Sequence, residues 1–133
     1  MKTVITYGTF DLLHYGHINL LKRAAQLGDR LIVGVSTDEF VEEKGKKCVY
    51  PLEKRMEMVG DLRFVDLVIP EHSMAQKVDD IKNLGVDVFV LGSDYKDSFP
   101  AMPEYDLIKD VCEVVFLERT PNISTTMLKK TLK

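Results

Sequence analysis

Cysteine is scarce in this 133-residue chain: Cys48 and Cys112 are the whole supply, and no C-x-x-C spacing occurs. Neither a disulfide framework nor a zinc site is expected, and both read as ordinary thiols. Proline and glycine are also few, at five and eight, well below the level of a disordered or fibrous chain. No apolar run approaches the roughly 20 residues of a membrane-spanning helix. The start, Met1-Lys2-Thr3-Val4-Ile5-Thr6-Tyr7, carries one charge and a β-branched run too short for a signal-peptide core. The expectation is a soluble, cytoplasmic protein with no membrane partner. Basic residues are not in excess: 18 against 21 acidic give a net charge of -3. That argues against nucleic acid or an anionic membrane as partner, and leaves small anionic ligands open. Neither G-x-G-x-x-G nor the P-loop G-x-x-x-x-G-K-S/T is present, and no internal repeat or low-complexity segment appears. What is there, 45% apolar and 29% charged residues, suits one compact domain over residues 1–133.

Apolar runs and helical periodicities alternate from end to end. Val4-Ile5-Thr6-Tyr7 reads as a buried strand, and His17 to Leu27 as a helix stopped by Gly28. Leu31 to Val35 is a second strand. The polar stretch from Ser36 to Tyr50 has no period and reads as the longest loop, after which Pro51 opens a helix through Leu62. A third strand, Val65 to Ile69, ends at Pro70. Ala75 to Leu84 is an amphipathic helix, Asp87 to Leu91 a fourth strand, Val111 to Leu117 a fifth apolar run, and Ser124 to Leu132 a closing helix. The fold class is therefore α/β: a doubly wound, parallel five-stranded sheet with helices on both faces. In such a sheet the ligand sits beyond the carboxyl ends of the strands, where the strand order reverses. The loops beginning at Gly8, Gly92 and Glu118 should converge there.

The segment richest in chemistry is Gly8-Thr9-Phe10-Asp11-Leu12-Leu13-His14-Tyr15-Gly16-His17. Two histidines three apart share a face if the turn is already helical, and Gly16 between them admits a ligand to the backbone. Free amides and the dipole of the following helix favour an anion there. Two imidazole N–H donors could then hold a phosphate; taken alone, H-x-x-H more often marks a metal pair or two surface histidines. Ser124-Thr125-Thr126 sits where an N-cap and first turn are expected, an arrangement that suits a phosphate tail or simply a capped helix. No Ser-His-Asp set or close carboxylate pair suggests another mechanism.

The first segment resembles the G-T-F-D-x-x-H-x-G-H signature of the nucleotidylyltransferase superfamily, whose fold is Rossmann-like, and Ile123-Ser124-Thr125-Thr126 resembles its I-S-S/T-T motif. Arg119-Thr120, Lys44-Gly45-Lys46-Lys47, Glu53-Lys54-Arg55 and Arg63-Phe64-Val65-Asp66 extend the likeness, over essentially the whole chain, to the bacterial glycerol-3-phosphate cytidylyltransferases. The resemblance implies attack of an acceptor phosphate on the α-phosphorus of CTP, giving CDP-glycerol and pyrophosphate for teichoic-acid or related surface polymers. It implies a homodimer, and Mg2+ carried mainly by the CTP phosphates rather than by a protein metal site. By the same likeness His14, His17, Arg119 and Lys46 are catalytic. Thr9, Phe10, His14, Tyr15, Gly16, His17, Lys46, Asp94, Arg119, Thr120, Pro121, Asn122, Ile123, Ser124, Thr125 and Thr126 surround the nucleotide. Lys44 and Lys77 serve the acceptor, as do Arg55 and Arg63, through phosphate binding or active-site organisation. Asp11 is expected to cap the helix or order the histidine loop.

This chain departs from the family pattern in three places. Pro121-Asn122 replaces Glu-Gly, Tyr95 stands where relatives usually carry Trp, and Ser98 to Tyr105 reads as a short insertion beside the acceptor pocket. Other acceptors, another nucleotide, or a non-catalytic nucleotide-binding module are the competing readings. Lys44 and Lys77 suit an anionic acceptor better than a zwitterionic one.

Overall fold

A computed structural model of the chain describes residues 1–118. The expected closing helix, Ser124 to Leu132, lies outside the described residues. Strands β1 (Thr3–Gly8), β2 (Arg30–Ser36), β3 (Leu67–Glu71), β4 (Val88–Gly92) and β5 (Glu113–Leu117) form one sheet in the order β3-β2-β1-β4-β5. Every neighbouring pair is parallel. Alternate side chains of the inner strands feed two cores, as expected of a sheet covered on both sides. Val4, Val33 and Val90 pack with Leu21 and Ala24 of α1 (Tyr15–Ala25) and Val59 of α3 (Leu52–Gly60). On the other face Ile5, Ile32 and Phe89 pack with Ile81 of α4 (Gln76–Asn83) and Ile108 of α5 (Pro103–Ile108).

Three local readings are corrected. The stretch after Ser36 contains a helix, α2 (Asp38–Glu43): the Thr37 side chain accepts from the Phe40 amide at 3.1 Å, and Phe40 and Val41 are buried beneath it. Six residues are too few for a helical period to register. β3 runs through Pro70 to Glu71. It is an edge strand, so the missing amide of Pro70, opposite Val35, costs no ladder on its outer side. The divergent segment folds into a 3-10 turn (Phe99–Ala101) and α5. Phe99 is buried edge-on against Phe89 and Tyr105, at 5.6 and 5.5 Å between ring centres.

At the amino end of the sheet, carboxylates of Asp29, Asp66 and Asp87 accept from the amides of Lys2, Leu31 and Thr3, at 2.7 to 2.8 Å. The strand order reverses between β1 and β4, and a cleft of about 830 Å³ opens over their carboxyl ends. Lys44, Lys46, Lys47 and Lys77 line it. A small net negative charge therefore coexists with a cationic cleft.

Candidate active site

The cleft is built from the β1–α1 connection upward. Gly8 ends β1 because a Cβ there would lie 2.7 Å from the Phe10 ring. Phe10 has φ of 51°, an uncommon left-handed conformation for a side chain of its size, and tucks its ring into the core. The chain then reaches His14 in extended conformation (φ -135°, ψ 177°) as the N-cap of α1. His14 Nδ1 accepts from the Gly16 amide at 3.0 Å, and His17 Nδ1 accepts from the His14 amide at 3.4 Å. The rings stack, 3.9 Å between centres and 20° from parallel, and Phe10 meets His17 edge-on at 5.4 Å. The two histidines are thus N-cap and third helical residue, not neighbours on one helical face as the spacing alone suggests.

The reciprocal cap has a chemical consequence. A ring nitrogen that accepts an amide hydrogen carries no proton, so each neutral imidazole bears its proton on Nε2. Both histidines are held as Nε2–H donors in the cleft wall, beside the amide-rich amino end of an 11-residue helix. That combination suits an anion with several oxygens.

A single arginine ties the connections around the cleft together. Arg55 is completely buried. Its Nε donates to the Tyr50 carbonyl at 3.0 Å, Nη1 to the carbonyls of Thr9 and Ser36 at 2.9 and 2.6 Å, and Nη2 to Asp38 at 2.6 Å. Asp11, also buried, accepts from the amides of Val49 and Tyr50 at 2.8 to 2.9 Å. The expected ordering role of Asp11 is present, with the 49–50 backbone as its partner, and His14 is the helix cap. After α2, Gly45 turns the chain at φ of 76°, and the Lys46 amide returns to the Val41 carbonyl. Lys44, Lys46 and Lys47 then face the cleft.

At the other wall, Lys77 of α4 forms a buried ion pair with Glu71, whose carboxylate also accepts from Ser36 Oγ at 3.1 Å. The Lys77 ammonium lies 4.7 Å above the Tyr7 ring, and Lys44 Nζ 4.0 Å above Phe40. Burial lowers the Lys44 amine below the usual lysine range, Lys77 and Lys46 push it the same way, and Glu71 opposes them. Tyr7 donates to Asp80 at 2.9 Å, and burial foremost, then Asp80, raises its phenol far above the ordinary value. Its ring covers Gly34, where a Cβ would come within 2.3 Å. Burial pushes the Cys112 thiol up to about 11, which keeps it protonated at neutral pH.

Thr9, Phe10, His14, Gly16, His17, Lys44, Lys46 and Lys77 are brought together around the cleft, as the motif positions suggest. Four expected contacts are placed elsewhere. Arg55 does not line the cleft, and its donors are spent on the scaffold; the acceptor role is replaced by a structural one. Arg63 is exposed on the connection into β3, at the amino end of the sheet. Tyr15 is 64% exposed, and Asp94 is exposed in a 3-10 turn (Ser93–Tyr95), neither among the lining residues, although Gly92 and Tyr95 are. Arg119, Thr120, Pro121, Asn122, Ile123, Ser124, Thr125 and Thr126 lie outside the described residues. Sequence reasoning missed Ser36, Glu71 and Met74 of the cleft wall that carries Lys77, and Met102 and Glu104, which the divergent segment contributes. For Ser36 and Glu71 the available signal was position: each is the last residue of a parallel strand.

The arrangement defines an α/β protein that holds phosphates at the switch point of a parallel sheet. The chain belongs to the cytidylyltransferase-like family, whose model matches residues 5–131. Glycerol-3-phosphate cytidylyltransferase from Staphylococcus aureus (strain NCTC 8325 / PS 47) is 54% identical over 132 residues, covering 99% of this chain and 96% of the relative. The protein of that name from Bacillus subtilis (strain 168) is 53% identical over 130 residues, covering 98% and 96%. Among solved structures, a lipopolysaccharide core biosynthesis protein from Thermoplasma volcanium GSS1 matches with a TM-score of 0.78 and 28% identity, over 90% of this chain and 98% of the other.

The Arg55 network makes a direct prediction. Arg55→Ala strands three carbonyls and releases the partly exposed Asp38, and should lower stability by about 2–3 kcal/mol, the order of the cost of buried acceptors left unpaired. Urea unfolding measures that loss. Limited proteolysis should show faster cleavage between Lys44 and Tyr50, and unchanged cleavage there would contradict the clamp.

Proposed function

We propose that the protein transfers a cytidylyl group from CTP to glycerol 3-phosphate, forming CDP-glycerol and pyrophosphate. The observation that carries this reading is the pair of capped histidines at a helix amino terminus, opening on a lysine-lined cleft. Relatives of that name, at more than half identity over nearly the whole chain, supply the substrates.

In the reaction a phosphate oxygen of the acceptor forms a bond to the α-phosphorus of CTP. The bond from that phosphorus to the bridging oxygen breaks, and its electron pair leaves with pyrophosphate. The acceptor phosphate is largely dianionic at neutral pH, with a second pKa of about 6, so no general base is required. Catalysis reduces to positioning and to stabilising charge as it moves towards the leaving group. His14 and His17 present Nε2–H donors whose bonds to phosphate oxygens strengthen as that charge grows. Both rings are fixed by backbone bonds, so little reorganisation accompanies the reaction. Lys46 adds positive charge on the nucleotide side; Lys44 and Lys77 do so on the acceptor side. Family resemblance assigns Arg119 and the Ile123–Thr126 segment to the triphosphate and base.

Mg2+ belongs to this proposal as part of the nucleotide substrate. Among the described residues no group of three histidine, cysteine or carboxylate side chains is placed to hold a metal ion. Glu71, a carboxylate of the cleft lining, is already paired with Lys77. The side chains here fit phosphates rather than a metal cage, and no step is assigned to the ion. No helix among the described residues is long and apolar enough to cross a membrane. The proposed location is the cytoplasm, where CTP is available, and nucleic acid is not a proposed partner.

A panel of CTP and ATP against glycerol 3-phosphate, phosphocholine and sugar phosphates, read by pyrophosphate release, tests the assignment. Turnover should require CTP and glycerol 3-phosphate, and turnover with ATP alone would overturn it. His14→Ala and His17→Ala should each lower kcat at least about 100-fold, the effect of deleting one transition-state donor. Near-normal kcat in both would exclude the mechanism. The homodimer implied by the family resemblance should appear in light scattering as twice the chain mass; a monomer at all concentrations would refute it.

A further inference from the structure

Glu71 is a carboxylate in a cleft that recruits anions, and the transfer as described has no use for it. It is 1% exposed, at the end of edge strand β3, held by Ser36 Oγ on one oxygen and by Lys77 on the other. The Lys77 ammonium lies over the Tyr7 ring at 4.7 Å and the Phe40 ring at 6.0 Å, with Met74 Sδ at 3.4 Å. Lys44 Nζ lies over the same Phe40 ring. Two ammoniums thus share one aromatic side chain in a largely apolar corner, where burial and then Lys77 make Lys44 harder to charge. The remaining ionisable groups facing them are Lys46 after α2, Tyr7 on β1 and Asp80 on α4, and Asp80 is engaged by Tyr7. Three ammoniums face two carboxylates, Glu71 and Asp80, and leave a net charge of +1 that favours an anion.

Building on the proposed transfer to a phosphomonoester, we propose that Glu71 is the positioning residue of the acceptor site. Its buried carboxylate fixes the Lys77 ammonium and offsets the repulsion between Lys77 and Lys44, so that two charged donors stand ready for the acceptor dianion. Glu71 acts through these lysines and does not touch the reacting atoms. Its removal therefore affects acceptor recognition before CTP recognition. It also makes the Lys44 charge harder to keep. An ammonium loses its proton as pH rises through its pKa, so loss of Glu71 moves the alkaline decline in acceptor affinity to lower pH.

The test compares Glu71→Gln, which keeps size and an accepting oxygen, with Glu71→Asp, which keeps the charge. Glu71→Gln should raise KM for glycerol 3-phosphate by about tenfold or more, leave KM for CTP within about twofold, and shift the alkaline limb of acceptor kcat/KM to lower pH. Glu71→Asp should recover most of the loss. Wild-type acceptor KM and pH profile in Glu71→Gln, or an equal rise in both KM values, would overturn the proposal. If Glu71→Gln does not fold, Ser36→Ala, which removes only the orienting hydroxyl, should raise acceptor KM about threefold; no change would overturn it. If the wild-type protein turns over no phosphomonoester, the function assignment fails by itself. The role of Glu71 is then decided by NMR titration of the Lys44 and Lys77 side-chain amines with 13C-labelled lysine. A lower midpoint for Lys44 in Glu71→Gln, or in Ser36→Ala should that variant replace it, supports the proposal, and an unchanged midpoint overturns it.

Discussion

The first backbone amides of a helix have no partner inside the helix, and at α1 two histidine side chains supply the acceptors. His14 Nδ1 takes the Gly16 amide and His17 Nδ1 takes the amide of His14 itself. These bonds stop the strand-to-helix turn from fraying, stack the two rings, and decide which nitrogen of each carries the proton. A cap made from aspartate would satisfy the Gly16 amide but would present no donor to a ligand. Stability and chemistry are therefore carried by the same two side chains. The rest of the cleft is arranged around them: Phe10 supports His17 from below, and Gly8 leaves room for Phe10.

The second constraint is that three connections at the carboxyl end of the sheet must keep fixed positions although little regular structure joins them. Arg55 binds carbonyls from two of them and from the end of β2, and Asp11 binds amides of the 49–50 segment. A buried guanidinium with its donors used on carbonyls and a carboxylate is a rigid tie rather than a substrate contact. It places the lysines after α2 opposite the histidines. With Lys44, Lys46, Lys47 and Lys77 gathered at the carboxyl end of the sheet, an acidic chain acquires a site for two anionic substrates.

The strands were readable because a parallel sheet buried on both faces demands continuous β-branched runs, and those of β1, β2 and β4 are unbroken by charge. α2 was not readable, since six residues with two buried side chains carry no period. Pro70 looked like a terminator because its tolerance depends on β3 being an edge strand, a property of the sheet order and not of local sequence. In the site, the histidine motif announced phosphate chemistry, whereas the tautomers came from the exact cap geometry. The charge of Arg55 suggested a phosphate contact. Its burial follows from partners 5 to 46 residues away in the chain, which no local pattern reveals. Glu71 belonged to no motif quoted for the family, and only the packing of α4 against β3 brings Lys77 onto it.

The account stands on the protonation state that the cap imposes. Long-range 15N–1H NMR of the protein labelled at histidine reads it directly, since protonated and unprotonated ring nitrogens resonate far apart. Near neutral pH, His14 and His17 should both show the neutral Nε2–H form, with Nδ1 unprotonated and shifted by its amide bond. A proton on Nδ1 of either ring would contradict the cap, and the neutral Nδ1–H form would also remove the donor on which the proposed catalysis depends.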